Sequence, residues 1–288
     1  MKILSSEDEV LLFRDFREIA AVDREGVLLR HQIHAARQCL HFGRDADGWS
    51  YLTMDHTLGV TWHHSALGQI PWGEEFRAGP SREVSMSADG RTVAVALNRR
   101  EIVIARRSDD GTVASQPIPC SGQIDKLHLS AHGRRIALRL VNRGWQWLDL
   151  RDETLHAWSP SQTGMPLCHG WSRDEEWFAL ATDQGCIDVW RADVGSQPRY
   201  TLRDQPWVSS LMFGSDGRWL FAGTSTGELH AWRDGERAWS TQVHAANIRA
   251  LDLSEDDRYL VSGSLDGRLL IHSAETGEFV RELPNHSE

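Results

Sequence analysis

The stretch that decides the fold is VSSLMFGSDGRWLFAGTSTGELHAW, at residues 208–232. Its apolar residues alternate in three short runs, which is the pattern of β-strands with one face buried. The runs are separated by SDG and STG, which favour tight hairpin turns. A second copy of the pattern, IRALDLSEDDRYLVSGSLDGRLLIH, occupies residues 248–272. The chain is therefore predicted to contain an internal repeat of about 40 residues.

A small residue ends the first strand of each copy, and equivalent residues recur along the chain. These anchor residues are spaced 38, 44, 43, 42, 42 and 40 residues apart, at Ser5, Gly43, Ser87, Ser130, Ser172, Gly214 and Ser254. Even spacing with about four short strands per unit is typical of β-propeller blades, because one small sheet cannot bury both of its faces alone. We predict an all-β fold, a seven-bladed β-propeller of four-stranded antiparallel blades. Six blades remain an alternative, because the first repeat is the weakest.

The repeats leave no room for a second domain, so a single propeller domain over residues 1–288 is predicted. Its approximate blades are residues 1–35, 36–79, 80–122, 123–163, 164–204, 205–244 and 245–283. The segment EFVREL, at residues 278–283, is interpreted as the outer strand of the last blade. The N-terminal residues are interpreted as the first strand of blade one, so the two blades would close the ring by packing face to face.

At these residues the chain resembles the WD-repeat β-propellers, most clearly from the fifth repeat onward. The family's third strand often ends in Trp-Asp, and Trp190 and Trp232 occupy that position here, each followed by arginine. The family also pins each blade with a His, Ser/Thr, Asp and Trp network. Only the last repeat resembles it, with His244, Ser262 and Asp266. His272 stands where the tryptophan would be, so the repeats are degenerate.

Composition excludes several classes of protein. The net charge of −10 argues against a general affinity for nucleic acid or an anionic membrane. The four cysteines are far apart and form no CxxC pair, which indicates neither a disulfide framework nor a zinc site. The N-terminus does not read as a signal peptide, and no apolar stretch is long enough to span a membrane. A cytoplasmic location is predicted.

Two motifs with possible chemistry are interpreted as turns. GTSTG, at residues 223–227, matches the GxSxG pattern of serine hydrolases, but the register places Ser225 in a hairpin rather than a strand-to-helix elbow. GRDADG, at residues 43–48, lacks the distal glutamate of a calcium loop. The early histidines have no ligand spacing. We predict no catalytic residue, no metal and no cofactor.

Charge is unevenly distributed along the chain. Residues 81–151 hold twelve basic and seven acidic residues, a net of +5 within an acidic protein. In the WD-repeat family the turn between the second and third strands lies on the face most often used for partners. In the third and fourth repeats that turn carries Arg99, Arg100 and Arg143, where Asp, Asn and Gly are ordinarily favoured. These arginines are predicted to bind an acidic segment of a protein partner.

The resemblance implies a non-catalytic protein-interaction module or scaffold. Two alternatives remain open: an enzyme or small-ligand binder that uses the central channel, and a regulatory partner of a bacterial-type NTPase or signalling system. A further set of aromatic residues, Trp177, Trp219 and Tyr259, lies five residues past the anchors of three consecutive repeats. They are interpreted either as packing between blades or as an exposed binding patch.

Overall fold

The computed structural model describes residues 3–5, 9–14, 18–23, 28–33, 38–45, 48–54, 59–64, 68–70, 83–98, 100–110, 112–141, 143–161, 164–254 and 256–283. These residues form strands, turns and connections, with no helix among them. No helix in this part of the chain is therefore long and apolar enough to cross a membrane.

The described residues form seven four-stranded antiparallel sheets. Within each sheet consecutive strands are neighbours, as the prediction of propeller blades requires. We number the sheets as blades 1 to 7, and in chain order their strands are β1 (Ile3–Ser5), β2 (Glu9–Arg14), β3 (Glu18–Asp23) and β4 (Leu28–Ile33); β5 (Gln38–Asp45), β6 (Gly48–Met54), β7 (Val60–His64) and β8 (Gly68–Ile70); β9 (Val84–Met86), β10 (Thr92–Asn98), β11 (Glu101–Arg107) and β12 (Val113–Pro119); β13 (Ile124–Leu129), β14 (Arg135–Leu140), β15 (Gly144–Asp149) and β16 (Leu155–Ala157); β17 (Pro166–Trp171), β18 (Trp177–Thr182), β19 (Cys186–Arg191) and β20 (Tyr200–Leu202); β21 (Val208–Phe213), β22 (Trp219–Thr224), β23 (Glu228–Arg233) and β24 (Glu236–Gln242); and β25 (Ile248–Leu253), β26 (Tyr259–Ser264), β27 (Leu269–Ser273) and β28 (Phe279–Leu283).

We call the four strands of each blade a, b, c and d in chain order. Because neighbouring strands are antiparallel, the a–b and c–d turns lie at one end of the strands and the b–c turn lies at the other. The chain divides into two compact units, which are described separately. The first unit, residues 1–34 and 160–288, holds blades 1, 5, 6 and 7; the second, residues 35–159, holds blades 2, 3 and 4. The single-domain organisation of the chain remains a prediction.

The anchor serines cap the a–b turns. The Oγ of Ser87, Ser130, Ser172 and Ser254 accepts the backbone N–H of the residue five positions later, at 2.9 Å in each case. A hydroxyl on a short side chain can reach back to its own turn in this way, which favours serine over larger residues. Turn chemistry therefore explains the serine anchors of blades 3, 4, 5 and 7.

The buried core lies between adjacent blades rather than within one sheet. In the second unit, Ile102 and Ile104 of blade 3 pack in one cluster with Leu127, Ile136 and Leu138 of blade 4. In the first unit, residues of blades 5 and 6 form a comparable cluster that includes Val189, Leu220 and Trp232. Alternate residues of each strand thus serve opposite faces, which explains the alternating sequence pattern.

The first and last blades meet inside the first unit. Strand β1 pairs with β2 and lies beside β25, the first strand of blade 7. Strand β28 pairs with β27 as the outer strand of that blade. The sequence interpretation of residues 278–283 as an outer strand is therefore confirmed.

Candidate functional site

Two of the three predicted partner-binding arginines lie in described b–c turns of the second unit. Arg100 and Arg143 are both exposed, in blades 3 and 4 respectively. The segment connecting these blades runs between them: the N–H of Cys120 donates to the Arg100 carbonyl oxygen at 2.7 Å, and a Cβ built on Gly122 would lie 3.3 Å from Arg143 Cδ. The two turns are thus at the same end of adjoining blades. Arg99 lies outside the described residues, as does Asn142.

Acidic side chains near these turns already have basic partners. Asp125 accepts a hydrogen bond from Arg139 Nη1 at 2.6 Å, and Glu83 accepts one from Lys126 Nζ at 2.8 Å. These carboxylates are therefore already paired within the protein.

The thiol of Cys120, in the segment between blades 3 and 4, has its pKa raised to about 11 by burial and by the nearby Glu101 carboxylate. It is therefore protonated at neutral pH and is a poor nucleophile.

In the first unit, the b–c-turn end of blades 5, 6 and 7 presents large apolar side chains to solvent. Met165, Trp207 and Leu265 have 55%, 54% and 70% of their surface exposed, and we call these three residues the apolar row. Exposed apolar residues are ordinary when scattered, but a set repeated at one end of successive blades is typical of an interaction surface.

Each residue of the apolar row belongs to a pair of residues joined by the same backbone hydrogen bond in its blade. In blades 5, 6 and 7 the residue just before strand a accepts a backbone hydrogen bond from the first residue of the b–c turn, at 2.9–3.0 Å. The three pairs are Met165 with Asp183, Trp207 with Ser225, and Asn247 with Leu265. One large exposed apolar side chain is present in each pair. In the second unit the matching pair of blade 4, Gln123 with Val141, also has one, since Val141 is 39% exposed.

None of the three residues of this row was among the site residues predicted from the sequence. The available signal was an apolar residue at a turn or connection position, where the register leaves no core to receive it. SLDG at residues 264–267 is such a case, because the leucine replaces the polar residue expected in a hairpin.

The predicted structural network divides into one connected cluster and two separate tryptophans. The Nδ1 of His244 lies 3.0 Å from Asp266 Oδ2, and its Nε2 lies 2.9 Å from Ser262 Oγ. Because a carboxylate only accepts, Nδ1 donates to Asp266 and Nε2 accepts from the serine hydroxyl. Trp190 and Trp232 lie instead in strands c of blades 5 and 6, almost fully buried. The Trp190 indole N–H donates to the Ser196 carbonyl oxygen at 3.1 Å.

The charge states in this cluster follow from its surroundings. Burial lowers the pKa of His244, although the bond to Asp266 opposes that shift. Burial would raise the pKa of Asp266, but hydrogen bonds from the backbone of Arg268 and Ala245 and from His244 outweigh it and lower that pKa. A neutral imidazole therefore bridges a carboxylate and a hydroxyl, and the cluster holds blade 7 together.

The GxSxG motif has a packing explanation. Ser225 lies in the turn between β22 and β23, as the register predicts. A Cβ on Gly223 would lie 2.5 Å from Ile248 Cγ2, and one on Gly227, whose φ is +90°, would lie 2.1 Å from the His244 carbonyl oxygen. Both glycines are thus required by close contacts, that of Gly223 with Ile248 of blade 7 and that of Gly227 with the connection between blades 6 and 7, and neither needs a catalytic role.

The histidine and aspartate patterns considered as metal sites gain no support. In strand β17, the ring of His169 packs against Phe178, with centroids 6.0 Å apart. Within the described ranges no group of three or more His, Cys, Asp or Glu residues could hold a metal ion. Ala46 and Asp47 of the GRDADG motif lie outside the described residues.

Comparison with known proteins gives one family model and several relatives. Residues 179–280, just over a third of the chain, match the model described as outer membrane protein assembly factor BamB. The chain is 35% identical over 81 residues to F-box-like/WD repeat-containing protein TBL1X of Mus musculus. It is 28% identical over 120 residues to the COMPASS component SWD3 of Saccharomyces cerevisiae, and 24% identical over 131 residues to Protein groucho of Drosophila melanogaster.

These alignments cover 28%, 41% and 45% of this chain, respectively. They span only 15%, 37% and 17% of the three relatives. The relatives are WD-repeat proteins, and the blade architecture agrees with that similarity. None of these matches is to a catalytic family.

Proposed function

We propose that this chain, a degenerate WD-repeat β-propeller, is a non-catalytic interaction module that binds a protein partner at the b–c-turn end of blades 5, 6 and 7. The observation that carries the proposal is the apolar row of Met165, Trp207 and Leu265. Solvent exposure of three large apolar side chains at one end of successive blades costs solubility, and covering them with a partner removes that cost. Tryptophan at such a position is the residue type most often responsible for binding energy.

The arginines of the second unit supply the second part of the proposal. Arg100 and Arg143, together with Arg99, would bind an acidic segment of a protein partner, since guanidinium groups pair with carboxylates in a bidentate manner. Charge of this kind contributes more to association rate and specificity than to affinity. WD-repeat proteins typically hold peptides or domains on the faces of the propeller, which supports the same assignment. A cytoplasmic location fits such a module and is part of the proposal.

The test compares two double variants of the tagged full chain in its native cell. Trp207→Ser with Leu265→Ser removes most of the apolar row, and Val194→Ser with Phe279→Ser removes side chains that are 56% and 59% exposed but lie toward the c–d-turn end. After cross-linking, the proteins recovered with the wild type are quantified for each variant. Recovery of the principal partner should fall at least about tenfold with the first variant and stay unchanged with the second. Equal recovery with both variants would refute the assignment of the surface.

A further inference from the structure

A pocket of about 500 Å³ opens between blades 6 and 7 of the first unit, at the a–b-turn end of their strands. Its walls include Trp219 and Arg233 from blade 6 and Arg258, Tyr259 and Glu275 from blade 7. This is the opposite end of the strands from the apolar row. The pocket is therefore separate from the surface discussed above and does not depend on the proposed function.

In blade 5, the arginine at the position equivalent to Arg233 has both an aromatic ring and a carboxylate of this chain as partners. The Arg191 guanidinium lies over the ring of Trp177, 5.8 Å from its centroid. Its Nη2 donates to Glu176 Oε2 at 3.0 Å. The face of the indole attracts the cation, and the carboxylate balances its charge and accepts its hydrogen bond.

Blade 6 repeats the arrangement, but the nearby Asp234 carboxylate, which feels the charge of Arg233, is hydrogen-bonded to Arg218 instead. The Arg233 guanidinium lies 5.5 Å from the centroid of the Trp219 ring. The position of Glu176, four residues past the anchor, is held by Arg218. Arg218 turns to Asp234 and donates to it from Nε and Nη2, at 3.1 and 2.6 Å. In the part of the chain that the structure describes, the guanidinium of Arg233 has no hydrogen bond or ion pair.

Neither acidic residue in the blade 7 wall of the pocket pairs with the Arg233 guanidinium. Both bonds to the Asp257 carboxylate come from the blade 6 turn: it accepts the N–H and the Oγ–H of Ser215 at 2.7 and 2.6 Å. Glu275 is exposed and forms no ion pair with any described residue. The position equivalent to Arg233 is Ser273, whose short side chain leaves the space between the blades open.

We propose that this pocket binds an acidic side chain of a protein partner, whose carboxylate pairs with Arg233 as that of Glu176 pairs with Arg191. The Trp219 ring fixes the guanidinium from one side, so the cation is already oriented before binding. Arg258 of the opposite wall lies 5.9 Å from the Tyr259 ring centroid, and its Nε lies 3.9 Å from Asp256 Oδ2, so the directed pair is left to Arg233. The pocket volume exceeds that of one carboxylate, so neighbouring partner residues can pack on the aromatic rings.

The charges of the lining select the class of ligand. Two arginines, Arg233 and Arg258, are balanced by two acids, Asp257 and Glu275. A nearly neutral pocket accepts a single carboxylate through one directed pair, but it does not offset the charge of a phosphate dianion. An acidic side chain is therefore favoured over a phosphorylated one.

The test uses N-acetylglutamate N-methylamide as the probe and the full chain with ¹⁵N-labelled arginine. The Nε–Hε signal of Arg233 is identified by its loss in Arg233→Lys. Titration should move that signal to saturation, while the signal of Arg191, already paired with Glu176, stays in place. The matched N-acetylglutamine N-methylamide should move it at least about fivefold less, because it carries no charge.

Arg218→Glu provides the decisive variant, because it places a carboxylate from this chain where blade 5 has Glu176. The probe's apparent dissociation constant should rise at least about fivefold in this variant, with a melting temperature close to that of the wild type since residue 218 is exposed. The proposal is overturned if the glutamine probe moves the Arg233 signal equally, if Arg218→Glu binds the probe as tightly as the wild type, or if N-acetylphosphoserine N-methylamide binds more tightly. Variants of the apolar row leave this titration unchanged, so the outcome is independent of the surface at the b–c turns.

Discussion

Gly227 and His244 meet so closely that a Cβ on the glycine would lie 2.1 Å from the carbonyl oxygen of the histidine. The backbone N–H of His244 also donates to the Gly227 carbonyl oxygen at 3.0 Å. The imidazole of the same histidine is bonded to Ser262 and Asp266 of blade 7. The b–c turn of blade 6 is thus joined to the polar cluster of blade 7 through one residue.

Gly227→Ala should therefore be strongly destabilising. The new methyl group would collide with backbone, and the residue would also be held at a φ of +90° that non-glycine residues rarely adopt. We expect the free energy of unfolding to fall by more than about 3 kcal/mol, measured by urea denaturation.

Gly195→Ala is the matched control, because Gly195 also has a positive φ, of +67°, but nothing lies within 4 Å of its added Cβ. It should cost only the backbone strain, about 1 kcal/mol. Equal losses in the two variants would show that the contact with His244 carries no energy.

Trp190→Ala should remove a central part of the core. Trp190 has none of its surface exposed, and its ring packs near that of Phe178. Truncation of a fully buried tryptophan should lower the free energy of unfolding by about 3–5 kcal/mol. Trp207→Ala, at a tryptophan that is 54% exposed, should lower it by less than about 1 kcal/mol. Similar melting temperatures for the two variants would contradict the repeat register.

The register itself could be predicted from sequence because it depends on local chemistry. Ser254 and Ser172 end their first strands for the same reason, a hydroxyl bonded to the N–H five residues later. The alternation that places Trp190 and Trp232 inside also follows from the two-residue period of a strand. These features repeat with the chain and need no knowledge of neighbouring blades.

The candidate sites could not be predicted in the same way. The empty position beside Arg233 depends on which way Arg218 turns and on what faces it from blade 7, and neither is local in sequence. Exposure of the Met165 side chain depends on what packs around it in the folded protein, which the local sequence does not give. The seven sheets favour seven blades over the alternative of six for the residues described.

Stability should fall in mild acid because of buried histidines. Burial, and secondarily the neighbouring His244, lowers the pKa of His272 to about 4 from an ordinary value of 6.5. Between these values the unfolded chain binds a proton that the folded chain does not, so the free energy of unfolding rises with pH there. In urea denaturation curves recorded across this pH range, the free energy of unfolding should fall by about 3 kcal/mol between about pH 6.5 and about pH 4. The lowered pKa values of His244 and His230 act in the same direction.

His272→Leu separates this titration from the rest of the protein. The variant removes the proton-binding group while keeping a side chain of similar volume, so the slope of stability against pH should become shallower in the same window. The readout is the slope and not the absolute stability, which the substitution changes as well. An unchanged slope would mean that His272 does not drive the acid sensitivity.

Charge reversal of the arginine cluster tests the electrostatic part of the proposed function. The variant replaces Arg99, Arg100 and Arg143 by glutamate together. Its melting temperature should stay nearly the same, because surface charges such as those of Arg100 and Arg143 contribute little to stability. Association with the partner should slow by at least about tenfold at low salt, and the salt dependence of the rate should weaken, since the attraction that salt screens has been removed. Stopped-flow binding with the purified partner at several salt concentrations measures both quantities. A control reverses three other exposed arginines, Arg106, Arg134 and Arg173, and changes the net charge by the same amount. If both triple variants slow association equally, the effect comes from net charge alone and the cluster is not a recognition site.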